Sequence, residues 1–179
     1  MQKKQPPGKE LQLQLLIDAD QIEERLERVA RQLEKNYDAQ ELTIVMIMKG
    51  SFILIADLMR HLHLPVRLDP IYCSSYGNGR KGELTVEGID GLEIQGKNIL
   101  VVDDIFDTGE TLAEVVSQIE KKNPASLKSL VLLSKDVPHN TDYRPDFALF
   151  DIEDRFVVGY GLDYKEYYRG LPDIYAIEM

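Results

Sequence analysis

Three runs of aliphatic residues limit what this chain of 179 residues can fold into. They are Leu42–Met48, Asn98–Asp104 and Leu127–Lys135, and each has the length of a β-strand. Apolar residues fill neighbouring positions in these runs instead of alternating with polar ones, which is typical of strands that are buried on both faces. The runs therefore predict a mainly parallel sheet that is covered on both sides.

Stretches with helical spacing lie between these runs. Apolar residues recur every three or four positions from Ile22 to Leu33, and Asp20 with Glu23 matches a capping box at the start of that helix. Two further helices are expected at Phe52–Leu62 and Gly109–Lys122, and two further strands at Val66–Tyr76 and Asp146–Ile152. Residues 77–96 are expected to form a long loop with a hairpin, the kind of loop that often serves as a lid. Strands that alternate with helices predict an α/β fold.

The charge balance argues against a nucleic-acid-binding protein. The chain has 31 Asp and Glu residues against 21 Lys and Arg residues, a net charge of −10. Proteins that bind nucleic acids usually carry a basic face that displaces counterions from the phosphates. The composition instead favours small anionic ligands that are held by a few focused groups, together with Mg²⁺.

Cysteine content and hydrophobicity predict a soluble, cytoplasmic protein. Cys73 is the only cysteine, so no intramolecular disulfide can form, which suits a reducing compartment. The longest aliphatic stretches have five residues, whereas a membrane span needs about 20. Residues 1–10 contain no apolar core of a signal peptide. We expect a flexible tail over residues 1–14 and one domain over residues 15–179, with no membrane partner.

The segment from Ile99 to Leu112 gives the clearest indication of a binding site. An aliphatic strand ends in two adjacent carboxylates, Asp103 and Asp104, and a turn with the sequence DTGET leads into a helix. Backbone N–H groups at a helix N-terminus, together with hydroxyls and a glycine, can cradle a phosphate. Carboxylates suit the hydroxyls of a ribose, or a Mg²⁺ ion that bridges to it. The combination indicates a ribose phosphate.

Two other interpretations compete for this segment. The two acids can simply end a strand while the DTG sequence makes a turn, although the whole arrangement favours a site. An aliphatic strand that ends in two acids also opens receiver domains, in which the acids hold Mg²⁺ for phosphorylation of an aspartate. That strand stands at the start of a receiver domain, whereas Asp104 lies past the middle of this chain, so a receiver domain is disfavoured.

The sequence here resembles a known family. VVDDIFDTGETL (Val101–Leu112) is similar to the signature with which type I phosphoribosyltransferases bind phosphoribosyl diphosphate (PRPP). Asp154–Pro172 resembles the purine-binding end of the hypoxanthine-guanine branch. MKGS (Met48–Ser51) and SSYG (Ser74–Gly77) stand where that branch has its pyrophosphate loop and its lid. One departure is Asp103, where the branch commonly has Glu.

The resemblance runs from about Leu15 to Ile177 and implies both a fold and a reaction. The implied fold has a parallel-sheet core flanked by helices and a small hood built from about residues 15–20 and 152–179. The implied reaction belongs to purine salvage: with Mg²⁺, the 5-phosphoribosyl group of PRPP is transferred to N9 of hypoxanthine or guanine, giving IMP or GMP and pyrophosphate. A homodimer or homotetramer is implied as well.

Roles for the central segment follow from the resemblance. Asp107 corresponds to the acid that contacts purine N7 and acts as general base or proton relay. Asp103 and Asp104 correspond to the acids beside the ribose hydroxyls and the metal. The 5′-phosphate is expected on Thr108, Gly109, Glu110 and Thr111, with Glu110 contributing only its N–H group.

The resemblance also implies residues for pyrophosphate and for the lid. The pyrophosphate-binding residues are Lys49, Gly50 and Arg169, with a cis peptide bond between Met48 and Lys49. An arginine suits the bidentate binding of phosphate groups. Ser75 and Tyr76 correspond to lid residues, which would close over the reacting groups and exclude water.

Four residues are implied to bind the purine. Lys135 would donate to the exocyclic O6, so adenine, which has an amino group there, should be rejected. Phe156 would stack on the purine and Val157 would bind it through its main chain. Asp163 would lie near the purine 2-position and a second Mg²⁺ ion.

Two other functions stay open on the sequence alone. One is an enzyme that prefers xanthine, and the other is a PRPP-sensing protein of the same fold that regulates transcription or binds RNA. A regulator that had abandoned catalysis could have lost Asp107, Lys49 or Arg169, and all three are present. Those residues and the acidic balance favour an enzyme.

Overall fold

A computed structural model of the chain describes residues 11–76 and 83–178. A six-stranded sheet forms the centre of the fold. Its strands are β2 (Leu42–Met48), β3 (Val66–Tyr76), β4 (Glu83–Glu87), β5 (Asn98–Phe106), β6 (Ser126–Lys135) and β7 (Phe147–Ile152). Their order across the sheet is β4-β3-β2-β5-β6-β7, and only β3 and β4 run antiparallel. The predicted parallel sheet is confirmed, and β4 supplies the hairpin expected between residues 77 and 96.

Helices cover both faces of this sheet. Helices α1 (Ala19–Tyr37) and α2 (Phe52–His61) pack against one face, and α3 (Glu110–Glu120) packs against the other. Neighbouring residues of β2 show the division, since Ile44 joins the cluster of α1 and α2 while Val45 joins that of α3, both fully buried. Consecutive apolar residues are therefore needed in the central strands. No helix of residues 11–76 and 83–178 is long and apolar enough to cross a bilayer.

A second sheet of three strands forms the hood. Its strands are β1 (Leu13–Ile17), β8 (Val157–Val158) and β9 (Ile174–Ile177), in the order β1-β9-β8. All neighbours are antiparallel. The predicted hood from both ends of the chain is thus present. The predicted tail boundary at residue 14 is wrong, because Leu13 already pairs with Ile177.

Helix α1 begins two residues earlier than its sequence suggested. Asp18, not Asp20, is the N-cap: its carboxylate accepts from the backbone N–H of Gln21 at 2.8 Å, and the Gln21 side chain accepts from the backbone N–H of Asp18 at 3.1 Å. Both aspartates have an acceptor side chain three residues later, so both fit the local pattern. The tertiary structure selects Asp18, because the carboxylate of Asp173 in the hood accepts from the N–H of Ala19 at 3.0 Å.

The order of the strands determines where a ligand can bind. The chain leaves β2 through α2 for β3 on one side, and it leaves β5 through α3 for β6 on the other side. In such open sheets a crevice forms between the two strands whose connections diverge, outside their carboxyl ends. That crevice lies between Lys49, just after β2, and Asp107, just after β5.

The capping box gives a first testable prediction. Asp18→Ala should lower the free energy of unfolding by about 1 kcal/mol, because the backbone N–H of Gln21 at the start of α1 loses its acceptor. Asp20→Ala is the matched control and should cost no more than about 0.5 kcal/mol, since Asp20 only interacts with the helix dipole. Urea unfolding at one fixed protein concentration measures both values. Equal losses in the two variants would contradict the assignment.

Candidate active site

Two adjoining cavities occupy the crevice at the carboxyl ends of β2 and β5. One, of about 260 Å³, lies between the end of β2 and the turn before α3. The other, of about 230 Å³, lies under the hood and is lined by Lys135 at the end of β6 and by Phe156 and other hood residues. Asp104 and Asp107 line both cavities. A ligand with two parts could therefore lie across these two carboxylates.

The acid pair Asp103–Asp104 forms the floor of the first cavity. Asp103 is only 7% exposed, and its carboxylate accepts from the backbone N–H of Asp104 at 2.9 Å. Burial raises the pKa of both carboxyls, and the negative charge of Asp104 raises that of Asp103 further. The positive charge of Arg169 is among the groups that oppose this rise at Asp104. A cation or a hydroxyl donor would relieve the repulsion between the two acids.

The predicted phosphate cradle is the turn between β5 and α3. Gly109 is the N-cap of α3 and has φ +82°, a left-handed conformation that favours glycine. Space also requires glycine, because an added Cβ would lie 2.6 Å from both Phe106 Cζ and Thr141 Cγ2. Thr108, Gly109 and Thr111 line the first cavity. Their arrangement at a helix N-terminus suits an anion.

A loop between β6 and β7 supports this turn from outside. His139 Nδ1 donates to the carbonyl oxygen of Asp107 at 2.6 Å, and the backbone N–H of Asn140 donates to that of Thr108 at 2.8 Å. The Asn140 side chain also donates to the carboxylate of Glu110 at 3.0 Å. Two carbonyl groups of the turn and one acidic side chain are thus engaged by this loop. The Glu110 carboxylate accordingly has a partner other than a ligand.

The sequence did not indicate these supporting residues. His139 and Asn140 belong to a polar loop with no motif, and they reach the turn only because β5 and β6 are neighbours in the sheet. Only their position in the sequence could have indicated a role. The loop follows the carboxyl end of a predicted strand, and in parallel sheets ligand-binding segments lie at those ends.

The loop after β2 approaches the acid pair closely. The peptide bond between Met48 and Lys49 is cis, as the resemblance implied. An added Cβ at Gly50 would overlap the carboxylate of Asp104, and one at Gly161 would overlap the carbonyl oxygen of Gly50. Glycine at both positions therefore allows the loop after β2 to lie between the acid pair and the hood.

The two predicted pyrophosphate-binding cations converge on one residue of the hood. Lys49 Nζ lies 3.2 Å from Glu166 Oε2, and the Arg169 guanidinium lies 3.4 Å from the same oxygen. Arg169 also pairs with Asp163 Oδ1 at 2.7 Å and donates to the carbonyl oxygen of Gly161 at 2.7 Å. The sequence indicated Lys49 and Arg169 but gave Glu166 no role.

Asp163 uses both carboxylate oxygens within the protein. Oδ1 pairs with Arg169, and Oδ2 accepts from the backbone N–H of Glu166 at 2.8 Å. In this structure Asp163 therefore positions the turn that carries Arg169. Its expected role as a metal ligand stays a prediction.

Lys135 is held at the border of the second cavity. Its ammonium lies 3.1 Å from Asp107 Oδ2 and 3.1 Å from Asp154 Oδ1, and its side chain is 11% exposed. Burial lowers the pKa of Lys135, but the hydrogen bonds with Asp154 and Asp107 outweigh this, so the pKa is raised overall. The ammonium is thus charged and fixed in direction. Asp154, which the sequence gave no role, completes this arrangement.

The remaining purine-binding candidates also line the second cavity. Phe156 is 40% exposed, and its ring meets that of Tyr164 edge to face with centroids 5.7 Å apart. Val157 stands beside it at the start of β8. One flat, accessible aromatic ring and one main-chain segment at a cavity of this size suit a planar ligand.

The side chains of the two predicted lid residues lie outside the part of the chain that the structure describes. Ser75 and Tyr76 end the backbone of β3, and their side chains, like residues 77–82, are not described. Cys73, on the same strand, lines the first cavity, and burial together with the charge of Asp103 raises its pKa to about 11. A thiol with that pKa is protonated at neutral pH and is a poor nucleophile.

Comparisons with known proteins agree with this geometry. Residues 16–165 match the family described as phosphoribosyl transferase domain. A hypoxanthine-guanine phosphoribosyltransferase from Aquifex aeolicus is 39% identical over 169 residues, which cover 93% of this chain and 95% of that protein. The human enzyme of the same name is 37% identical over 167 residues, which cover 87% of this chain and 77% of that protein.

Two solved structures share the fold over nearly the whole chain. A hypoxanthine-guanine phosphoribosyltransferase from Bacillus anthracis has a TM-score of 0.85 at 35% identity and covers 94% of this chain and 100% of its own. A mutant hypoxanthine phosphoribosyltransferase from Trypanosoma cruzi, in a ternary complex with substrates, has a TM-score of 0.86 at 33% identity. That comparison covers 94% of this chain and 96% of the other.

A parallel sheet with a hood, an acid pair and a helix N-terminus beside it define a phosphoribosyltransferase of type I. Within that class, the chain belongs to the hypoxanthine-guanine phosphoribosyltransferase family. The predicted fold class and the predicted family are therefore confirmed.

The conformation of Gly109 gives a second testable prediction. Gly109→Ala should lower the free energy of unfolding by at least about 1–2 kcal/mol, the cost of a left-handed non-glycine residue, with the contacts to Phe106 and Thr141 adding to it. Gly91→Ala is the control, because nothing lies within 4 Å of an added Cβ there. Urea unfolding of both variants tests this. A Gly109→Ala protein as stable as the control would contradict the packing described.

The buried acid pair gives a third prediction. Because the pKa of Asp103 is raised in the folded protein, the folded state binds the proton more tightly than the unfolded state. Stability should therefore fall as the pH rises above the ordinary aspartate pKa of about 3.9. Asp103→Asn should remove this loss and be more stable than the wild type at neutral pH.

Thermal unfolding between pH 4.5 and 8 in metal-free buffer measures this effect. The exposed Asp151, changed to Asn, serves as the control and should follow the wild-type profile. A wild-type advantage over Asp103→Asn that persists at neutral pH would show that ionised Asp103 stabilises the metal-free protein, contrary to the prediction.

Proposed function

We propose that this protein transfers the 5-phosphoribosyl group of PRPP to N9 of hypoxanthine or guanine, giving IMP or GMP and pyrophosphate in purine salvage. The main support is Lys135, which lines the second cavity and is fixed between Asp154 and Asp107, a residue that borders both cavities. An ammonium with a set direction beside an accessible aromatic ring suits a planar base that carries an oxygen acceptor. The adjoining cavity has the acid pair and helix N-terminus suited to a ribose phosphate.

The charges of the crevice fit a reaction in which pyrophosphate leaves the ribose. Positive charge develops on the sugar, and negative charge develops on the leaving group, in the transition state. We assign Lys49, Gly50 and Arg169 to the leaving pyrophosphate, because the two cations meet beside the loop that lies against Asp104. Fixed groups of this kind stabilise a transition state without the cost of reorganisation.

The base would be recognised in the second cavity. Lys135 would donate to O6, Phe156 would cover one purine face, and Val157 would contribute main-chain groups. Asp107 borders both cavities and is assigned as the general base or proton relay at N7. Adenine would bring an amino donor against the Lys135 ammonium, leaving two donors without an acceptor, so it should be rejected.

We infer that Asp103 and Asp104 hold Mg²⁺. Oxygen donors suit this ion, and the acid pair is buried with raised pKa values that a cation would lower. Among the described residues no cluster of three or more His, Cys, Asp or Glu side chains could hold a metal by itself. Two carboxylates are enough for Mg²⁺, which usually binds one or two carboxylates together with substrate phosphates and water. The ion would supply neutralising charge at the diphosphate.

We further propose a homo-oligomer that works in the cytoplasm, with its single domain beginning at Leu13. Leu68 and Tyr72 lie beside Ile44 and Met48 in the sheet and so face the same side as α2, which begins at Phe52. Exposed apolar side chains at Leu68, Tyr72 and Phe52 suit a contact with a second copy. For the Trypanosoma cruzi relative, a structure was solved in a study of the role of the C-terminal region in the oligomeric state.

The proposed reaction gives a fourth prediction. Product formation from PRPP should be seen with hypoxanthine and guanine, should be far lower with adenine, and should stop when Mg²⁺ is removed with a chelator. Asp107→Asn should lower kcat/KM by about 10²–10⁴, the usual contribution of a general acid–base group. Asp142→Asn removes an exposed carboxylate from the β6–β7 loop and should leave activity unchanged.

Other outcomes of this assay have definite meanings. Preferred turnover of xanthine would change the base specificity but leave the roles of Asp103, Asp104 and Asp107 in place. Absence of turnover with every base, while PRPP still binds, would replace the enzyme by a PRPP-sensing regulator.

A further inference from the structure

Glu166 lies between the two cations that we assign to pyrophosphate. A single oxygen, Oε2, is 3.2 Å from the Lys49 ammonium and 3.4 Å from the Arg169 guanidinium. The hydrogen bond and charge of Lys49, with a smaller contribution from Arg169, hold the pKa of Glu166 below its usual range. Glu166 is therefore an anion at neutral pH, and it occupies the position between the cations where an anionic ligand would bind.

The backbone directs Glu166 toward this position. Its N–H group donates to Asp163 Oδ2 at 2.8 Å, and its φ of +67° belongs to the tight turn that joins Asp163 to Arg169. The other oxygen of Asp163 holds Arg169. The carboxylate of Asp163 thus positions both Glu166 and Arg169.

The side chains allow Glu166 to leave. Its side chain is 65% exposed, and that of Lys49 is also mostly exposed, whereas that of Arg169 is only 19% exposed. Exposed ion pairs are weak, because water competes with them and their side chains lose freedom when they pair. Arg169 can therefore stay in place on Asp163 and Gly161 while the carboxylate of Glu166 turns outward into solvent.

We propose that Glu166 is an intramolecular counterion of the pyrophosphate site. In the free protein its carboxylate neutralises Lys49 and Arg169, and the diphosphate of PRPP displaces it on binding. After the reaction the carboxylate competes with the departing pyrophosphate and so assists its release. This inference rests on the proposed assignment of Lys49 and Arg169 to pyrophosphate.

The inference predicts that replacing Glu166 strengthens pyrophosphate binding, whereas replacing a residue that binds pyrophosphate would weaken it. Glu166→Gln keeps the size of the side chain and the backbone turn but removes the competing charge. It should bind inorganic pyrophosphate about two- to five-fold more tightly than the wild type, the range expected from one exposed ion pair. Its KM for PRPP should fall by a similar factor without a rise in kcat. A residue that only supports the loop would raise KM when changed.

Isothermal titration of the protein with inorganic pyrophosphate at saturating MgCl₂ measures the first effect. Glu153→Gln is the matched control, because it removes one exposed carboxylate from the turn after β7 and Glu153 makes no ion pair within residues 11–76 and 83–178. Its dissociation constant for pyrophosphate should stay within about 1.5-fold of the wild type, since distant exposed charges are screened. Thermal unfolding confirms that both variants are folded.

The outcomes separate this inference from the proposed function. Turnover of PRPP by the wild type, with equal or weaker pyrophosphate binding by Glu166→Gln, would overturn the counterion role and leave the enzyme intact. Tighter pyrophosphate binding by Glu166→Gln in a protein that turns over no base would support the counterion role and overturn the proposed reaction. If Glu166→Gln and Glu153→Gln lowered the dissociation constant for pyrophosphate equally, the cause would be the change in net charge, and the inference would be overturned.

Discussion

The structure depends on two adjacent acids near the end of a central strand of the sheet, Asp103 buried and Asp104 partly buried. Strand β5 passes through the middle of the sheet with Ile99, Leu100, Val101 and Val102 fully buried, and then places Asp103 and Asp104 in the crevice. Repulsion between such acids costs free energy that the hydrophobic strand must offset. Neighbouring residues lie close to the acids: the backbone of Gly50 lies against Asp104, and Arg169 of the hood provides a positive charge that opposes the rise in the pKa of Asp104. The proposed site for a cation and a ribose therefore depends on a locally unfavourable arrangement of acids.

The hood both contacts the core and contributes residues to the crevice. It is tied to the helices of the core at several places: Tyr160 donates to Asp57 of α2 at 2.8 Å, and Asp173 accepts from the first residue of α1. The same segment carries Phe156, which we assign to the base, and Arg169, which we assign to the diphosphate. One C-terminal stretch thus combines contacts to the core helices with two of the residues that we assign to ligands.

The sequence predicted most elements because their burial follows simple patterns. Strands with apolar residues on both faces and helices with one apolar face are determined locally, and the structure confirms β2, β3, β5 and α3 within two residues of the predicted ends. The start of α1 was wrong because Asp18 and Asp20 satisfy the same local rule, and only a contact with Asp173, more than 150 positions away, decides between them. The tail boundary was wrong for a similar reason, since Leu13 becomes a strand residue only through Ile177.

The same distinction between local patterns and distant contacts decides which residues of the candidate site could be predicted. Asp103, Asp104 and the turn to Gly109 stood out because strand, acids and helix start are contiguous in the chain. Lys49, Lys135 and Arg169 looked like ordinary surface charges until the family resemblance placed them. Asp154, Glu166 and His139 were missed, because each makes a contact with a residue that is not its neighbour in the sequence: Lys135, Lys49 and Asp107, respectively. Such contacts leave no local pattern to find.

The loop that supports the phosphate turn has a consequence for how this protein can change over time. Two of its contacts are made to carbonyl oxygens, those of Asp107 and Thr108, and one of the two donors is the backbone of Asn140. Every residue except proline has a backbone N–H, so the contact from position 140 to Thr108 can persist when the side chain there is exchanged. Among distant relatives the segment can therefore drift in sequence and still do the same work. Where a contact joins two backbone groups, as it does here, the amino-acid type at a position says little about how much that position contributes to the structure.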